Sequence, residues 1–394
     1  MDFRFGEAEE QLRQEVRQLL RDNMPVLSAI DRVGTIGNLV VTAQGFQAGR
    51  AFNKKLAERG WIAPAWPKQY GGLGATVHQQ MVFNEEFGYA SPPDTGTRAL
   101  GVGLLGPTLI AHGTEEQKRE HLPGITSGDV IWCAGLSEPN AGSDLANIET
   151  RAVRDGDDYL LSGQKTWTSE AHHAGWIFVL ARTDPDAPKH KGLSYFLIDM
   201  TSPGITVRPL IHLANRHHFN EVFLDNVRVP KRNMVGEENR GWYVAVTTLD
   251  SERSGIGGFA SNLRTIETLA AYLRGARPDV RAKYRLGLAD LAVANDVGKC
   301  ISYRVGDMQA KGQVPSHEGS ALKVYHTELM QRLYAFGVSM LGLWGQLVPE
   351  DPRAPLEGAM PQSYMTASPA SIYAGTNEIQ RNIIAQRGLG LPRN

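Results

Sequence analysis

The chain is poor in several things at once. It has 394 residues but only two cysteines, Cys133 and Cys300, far apart in sequence. So few thiols exclude a disulfide framework and fit a reducing compartment. Neither sign of charge dominates: 41 Lys and Arg stand against 42 Asp and Glu, a net charge of −1. That balance gives no basic surface for a nucleic-acid partner. Long hydrophobic runs are missing too. The opening MDFRFGEAEEQLRQEV is charged from the start, and no later run has the length and apolarity of a membrane span. The expectation is a cytoplasmic protein. GxxxxGK, GxSxG and HExxH are all absent, so those routes to phosphoryl transfer, serine hydrolysis and zinc hydrolysis gain no support.

What is present falls into three textures. The length and a hydrophobic content of 42% suit two or three packed domains. Helical periodicity runs from Phe5 to about Ser127, with Ala8, Leu12, Val16 and Leu19 on one face. Thr114, before Glu115, Glu116 and Gln117, reads as a capping box of a helix ending near Pro123. From about Asp129 to Glu238 the pattern is strand-like. TRAVRDGDDYLLSGQKTWT reads as a hairpin around Asp155-Gly156-Asp157. WIFVLART, LSYFLIDM, ITVRPL and EVFLDNVRV continue the series. Beyond Gly241 the helical period returns. Tyr284, Leu288, Leu291, Ile301 and Val305 form one face after Pro278, and a further helix is expected over 321–343. Residues 349–362 read as a proline-rich loop. The order predicts an α+β chain with boundaries 1–128, 129–238 and 239–394.

Some motifs mislead. GVGLLG, Gly101 to Gly106, matches GxGxxG, but no strand precedes it and Pro107 follows, so the βαβ context is missing. Close helix packing, or room for a ligand, explains it better. The pairs His172-His173 and His217-His218 lack metal-ligand spacing and an acidic or cysteine partner set; they read as surface or loop histidines, and no metal is expected.

Two stretches are more specific. LSEPNAGSD, Leu136 to Asp144, sits where helices give way to strands. Its Pro139, Asn140 and Gly142 make a turn, and Ser137 and Ser143 supply hydroxyls. GQKTWTSEA, Gly163 to Ala171, sets Trp167 beside Thr168 and Ser169 on a strand. Trp167 is either a core aromatic or a wall against a flat cofactor whose polar edge meets the hydroxyls. Near the C-terminus, SIYAGTNEIQ places Thr376 as the cap of a helix. A helix start rising from small residues also suits a phosphate or an oxyanion.

These motifs, GTEEQKREHLPGITSGDV before them and GTNEIQRNIIAQR at the end resemble the acyl-CoA dehydrogenase family, in the same order and over nearly the whole chain. The resemblance implies an N-terminal helical domain, a central β domain and a C-terminal four-helix bundle. It implies FAD as cofactor, an acyl-CoA substrate oxidised to the 2,3-enoyl-CoA, and electron-transfer flavoprotein as acceptor. Carried over by position, Ala134, Leu136, Ser137, Gly142 and Ser143 would line the flavin and its phosphates. Trp167, Thr168 and Ser169 would flank its ring, and Thr376, Asn377 and Glu378 would meet the ADP part. Substrate contacts would fall at Ser143, Asp250, Ser251, Arg253 and Gly375.

The chain departs from the family in three places. Most members carry the catalytic glutamate where Ala374 stands. Abstraction of an α-proton needs a base, and a desolvated carboxylate is the usual one. In a minority of members the base sits on another helix, at the position of Glu252 in TLDSERSG. Glu252 is therefore the expected base, the alternative being a helix glutamate paired with a neighbouring arginine. The Ala374 backbone N–H would still meet the thioester carbonyl. The family's Arg-x-x-Phe-Gly and Gln-x-x-Gly-Gly segments, which reach a neighbour's FAD, are replaced by LRGARPDVRAKY and SMLGLWGQ. That loss suggests a related second subunit in an α2β2 assembly, with a homotetramer as the alternative. Gly101 and Gly103 suggest a roomy acyl pocket for a branched or polycyclic group, or else ordinary packing. Competing functions are a flavin monooxygenase or oxidase on the same fold and a silent subunit supporting an active partner.

Overall fold

The computed structural model describes residues 5–34, 38–250 and 255–392. Their helices are α1 (Glu7–Asn23), α2 (Ala43–Ala57), α3 (Val77–Ala90), α4 (Gly106–His112), α5 (Glu115–Thr126), α6 (Gly241–Asp250), α7 (Ile256–Arg274), α8 (Pro278–Ala310), α9 (His317–Leu341), α10 (Ala359–Ala367) and α11 (Asn377–Ile383). Between α5 and α6 lie β1 (Trp132–Gly135), β2 (Arg151–Asp155), β3 (Asp158–Ser169), β4 (Trp176–Arg182), β5 (Leu193–Asp199), β6 (Ile205–Ile211), β7 (His217–Pro230) and β8 (Met234–Val235). The chain folds as two compact units, each discontinuous in sequence.

The first unit comprises Met1–Gly45, Ala75–Pro93 and Arg253–Asn394. Its core is helical: Phe259, Ile266 and Leu269 of α7 meet Leu288, Leu291 and Val305 of α8 and Leu322, Leu329 and Leu333 of α9. The face predicted from Tyr284 to Val305 is this inner face of α8. On α1, Val16 and Leu19 are buried, whereas Ala8 at the helix start is exposed. Helices α3 and α7 approach closely at two glycines. A methyl on Gly88 would fall 2.1 Å from the Gly257 carbonyl oxygen, so only glycine fits. Across α1, α3 and α8, Arg13 bonds Glu85 (2.9 Å) and Glu86 (2.6 Å), and Lys299 joins Glu85. The expected loop over 349–362 is shorter than its prolines suggest. Residues 359–362 already belong to α10, where Pro361 sits in the first turn and loses no helical bond.

The second unit comprises Phe46–Gly74 and Asp94–Glu252. Its sheet has the order β6-β7-β3-β2-β4-β5-β8, with β1 running parallel to β4. The hairpin expected at Asp155-Gly156-Asp157 joins β2 to β3, pairing Asp155 with Asp158. The middle of the sheet is covered on both faces. Phe178 and Leu180 of β4 and Tyr195 and Leu197 of β5 pack against Leu105, Leu109, Leu122 and Val244. Their neighbours Ile177, Val179, Phe196 and Ile198 point the other way, into a cluster with Tyr159, Leu161, Val222 and Leu224. Period-2 alternation with both sets apolar is what a doubly buried strand requires. The capping box at Thr114 forms with Gln117, each side chain bonding the other residue's backbone N–H. Helix α5 runs to Thr126, about one turn past the end expected near Pro123, which lies inside it.

GVGLLG lies in a π-helical stretch, Thr97–Leu105, that runs into α4 with Pro107 in its first turn. Gly101 packs against Ile125, and Gly106 sits on the Trp66 ring. Among the described residues, a methyl on Gly103 would meet the Arg98 carbonyl, at 3.3 Å.

Candidate functional site

In the second unit, the LSEPNAGSD and GQKTWTSEA stretches come together. Glu138 and Ala141 exchange backbone bonds (2.9 and 3.1 Å), closing a turn over Pro139 and Asn140. Thr166 N–H donates to the Ser137 carbonyl at 2.9 Å, docking that turn on β3. The dock is locked by a buried ion pair. Lys165 Nζ donates to Glu138 Oε1 (2.7 Å), to the Leu180 carbonyl (2.8 Å) and to the Leu136 carbonyl (3.3 Å). Glu138 also accepts the backbone N–H of Glu149 (2.6 Å) and of Thr150 (3.0 Å). Burial pulls the Lys165 ammonium down to about 8 against the attraction of Glu138. Burial raises the Glu138 carboxyl, but Lys165 and the backbone donors outweigh it and hold it below the usual range. Every polar atom of the pair is engaged, the condition under which a buried pair is tolerated.

Just past Lys165 the pairing of β3 with β7 is broken by a bulge between Lys165 and Thr168. Bulges re-aim side chains, and this one does. Trp167 takes a left-handed φ of 57° and stands 55% exposed, its ring edge-on to Phe219. Trp167 is thus a surface aromatic and not a core one. Thr168 is fully buried, and its hydroxyl has no partner among the described residues. Ser169 and Ser137 are half-buried; Gly142 and Ser143 are exposed, with open space at the Gly142 Cα. Ala134 and Leu136 turn their side chains to the core. An exposed indole, an orphaned hydroxyl beside it and a docked turn with two serines fit a flat group with a polar edge.

In the first unit, Ala374 and Gly375 both adopt left-handed backbone, with φ of 53° and 81°. Ala374 is exposed. The Thr376 hydroxyl accepts the Ile379 N–H at 3.1 Å, as the sequence predicts for a cap. Asn377 is turned inward: its side-chain oxygen accepts Lys323 Nζ (2.9 Å) and Thr327 Oγ1 (3.1 Å). Its side chain thus seats α11 on α9, and only its backbone is left for a ligand. Glu378 is exposed. Burial pulls Lys323 down to about 8, against the attraction of Glu378.

Helix α6 leads to the expected base. Thr248 Oγ1 lies 2.7 Å from Thr108 Oγ1, and Thr247 Oγ1 lies 2.8 Å from His112 Nε2. These bonds fix the last turns of α6 on α4. Ser251, Glu252 and Arg253 lie outside the described residues, as does the side chain of Asp250.

Sequence reading missed the Glu138–Lys165 pair and the burial of Glu170 next to Ser169. The partners of the pair stand 27 residues apart, and nothing local marks them.

Helices before and after a sheet, with a docked turn and an exposed indole on that sheet, suit a protein that holds a flat cofactor. Family models agree: the acyl-CoA dehydrogenase N-terminal domain matches residues 6–129, the middle domain 133–227 and the C-terminal domain 239–389. The chain is 36% identical over 386 residues to the acyl-CoA dehydrogenase IpdE1 of Mycobacterium tuberculosis, covering 98% of each. Among solved structures it resembles the Tcur3481-Tcur3483 steroid ACAD, with a TM-score of 0.87, 33% identity and full coverage of both chains. The ChsE4-ChsE5 complex of Mycobacterium tuberculosis gives a TM-score of 0.84, 32% identity and full coverage of both. The chain belongs to the acyl-CoA dehydrogenase family, whose members are FAD-dependent oxidoreductases acting on acyl-CoA. Among the described residues, no helix is long and apolar enough to cross a membrane.

Proposed function

We propose that the chain dehydrogenates an acyl-CoA thioester to the 2,3-enoyl-CoA, with Glu252 removing the α-proton. Bound FAD supplies the acceptor for the β-hydride at its N5. The observation that carries the reading is Ala374. It has no acid to offer, it is exposed, and no acceptor among the described residues takes its N–H. A free N–H can stabilise an enolate oxygen as charge develops, but a methyl cannot take a proton. The base must come from elsewhere, and the firmly held end of α6 is followed by Glu252. Trp167, Thr168, Ser169, Ser137 and Ser143 are assigned to the flavin, with Ala134, Leu136 and Gly142 lining it by backbone. Thr376, Glu378 and the Asn377 backbone are assigned to its ADP part. Ser143, Asp250, Ser251, Arg253 and Gly375 are assigned to the substrate.

Anaerobic titration of the flavin with a panel of acyl-CoA thioesters tests this. The flavin bleaches with substrate, and Glu252→Gln slows bleaching by about 10²–10⁴-fold while thioester still binds. Wild-type bleaching in that variant would sink the assignment. Rapid reoxidation by air with a hydroxylated product would instead mark a monooxygenase, and bound flavin that no thioester bleaches would mark a silent subunit. Electron-transfer flavoprotein is the proposed acceptor.

The substrate is proposed to be bulky, of the sterol-derived kind. One relative supports this by its printed name, the Tcur3481-Tcur3483 steroid ACAD. The open side of Gly103 supports it too, whereas Gly101 is taken up by packing on Ile125. A preference for short straight chains in the titration would count against it.

A further inference from the structure

We infer that Glu170, His172 and His173 form a binding site for a divalent transition cation, with Zn²⁺ as the reference ion. The expectation that His172-His173 lack an acidic partner is corrected: Glu170 stands two residues before His172, and the fold turns all three together. Past the end of β3 the chain reverses: Glu170 takes a left-handed φ of 61°, its N–H donates to the His218 carbonyl (2.8 Å), and its carbonyl accepts the His173 N–H (2.9 Å). This turn brings one ligand atom from each of Glu170, His172 and His173 within 4.8 Å of one another.

Glu170 is the telling member. It is 1% exposed, its side chain lies over Gly96, and neither carboxylate oxygen has a hydrogen-bond partner among the described residues. A buried carboxylate with no donor is costly unless a cation meets it. With no cation bound, burial first and then Asp94 push this carboxyl up to about 8.

The imidazoles are held by contacts outside the cluster. His173 stacks on Phe46 with centroids 4.0 Å apart, and His172 stacks on His217 at 4.2 Å. Asn220 Nδ2 lies 3.1 Å from His172 Nδ1 and also donates to the Thr168 carbonyl. The two stacking contacts fix the orientation of the rings. Each imidazole coordinates in its neutral form. Zinc bonds of about 2.0–2.2 Å place tetrahedral donors about 3.4 Å apart, so the three groups close by roughly 1 Å on binding. Two imidazoles and one carboxylate leave a position for water, a donor set suited to Zn²⁺ and its neighbours. His172, His217 and Asn220 line a cavity of about 380 Å³ that gives access.

The test is zinc titration of the tag-free flavoprotein against a chromogenic chelator, with bound metal counted by mass spectrometry after dialysis. One Zn²⁺ per chain is expected. His173→Ala and Glu170→Gln should each weaken it at least tenfold. His173 is exposed, so its variant keeps the test valid if the Glu170 change fails to fold. Either no saturable zinc in the wild type, or unchanged affinity in the folded variants, overturns the site.

Discussion

Lys165 has no atom in contact with water, and its ammonium is shared by one carboxylate and two carbonyls. Glu170, five residues on, is equally buried, and its carboxylate has no hydrogen-bond partner among the described residues. The contrast gives a pH prediction. Burial, and then Asp94, push the folded Glu170 carboxyl up to about 8 from its ordinary 4.5, so the folded state holds this proton more tightly than the unfolded one. The stability it confers is full below about 4.5 and is lost as pH rises toward 8. In metal-free buffer the urea midpoint should fall across that window, and Glu170→Gln should flatten the fall. Equal slopes for the two proteins would show that Glu170 does not titrate there. Backbone strain gathers at the same scale: Trp167, Glu170 and Ala374 all carry a positive φ without being glycine. Each such residue costs on the order of 1 kcal/mol, and all three stand at candidate sites.

At the scale of elements, the contact between α3 and α7 depends on two missing side chains. Gly88→Ala would push a methyl into backbone that cannot yield, and a loss of about 3 kcal/mol is expected, at the upper end for overpacking. A urea midpoint within error of wild type would show that the helices can separate cheaply. Elements were also where the sequence spoke most clearly. The Asp-Gly-Asp hairpin, the Thr114 and Thr376 caps and the inner face of α8 were legible because each rests on neighbours within a few residues. Asn377 was not. Its position beside Thr376 pointed to a ligand, but its side chain answers to Lys323 and Thr327, about fifty residues away in the chain. Helix α10 was hidden for the opposite reason: prolines read as breakers are harmless in a first turn. The bulge that turns Trp167 outward leaves no local mark either, because it arises from register with β7.

For the whole molecule, the open matter is what the chain associates with. The segments that family members lend to a neighbour's FAD are replaced here, and one replacement, around Gly342–Gln346, exposes Leu343 and Trp344. We propose a related second subunit as the partner. Expressed alone, the chain should fall short of full flavin occupancy, and native mass spectrometry should not find a fully flavinylated homotetramer. Finding one would leave the mixed assembly without support.

Strands β4 and β5 are paired along their length and roofed on both faces. Deuterium from solvent should reach their amides last, because release there requires opening of the entire second unit. Lys165 ties the Leu136–Asp144 turn to the Leu180 carbonyl, in the middle of β4. The turn therefore hangs from the slowest-exchanging part of the protein. Local breathing elsewhere in the unit should leave its shape intact, so the apoprotein should take up FAD with little reordering.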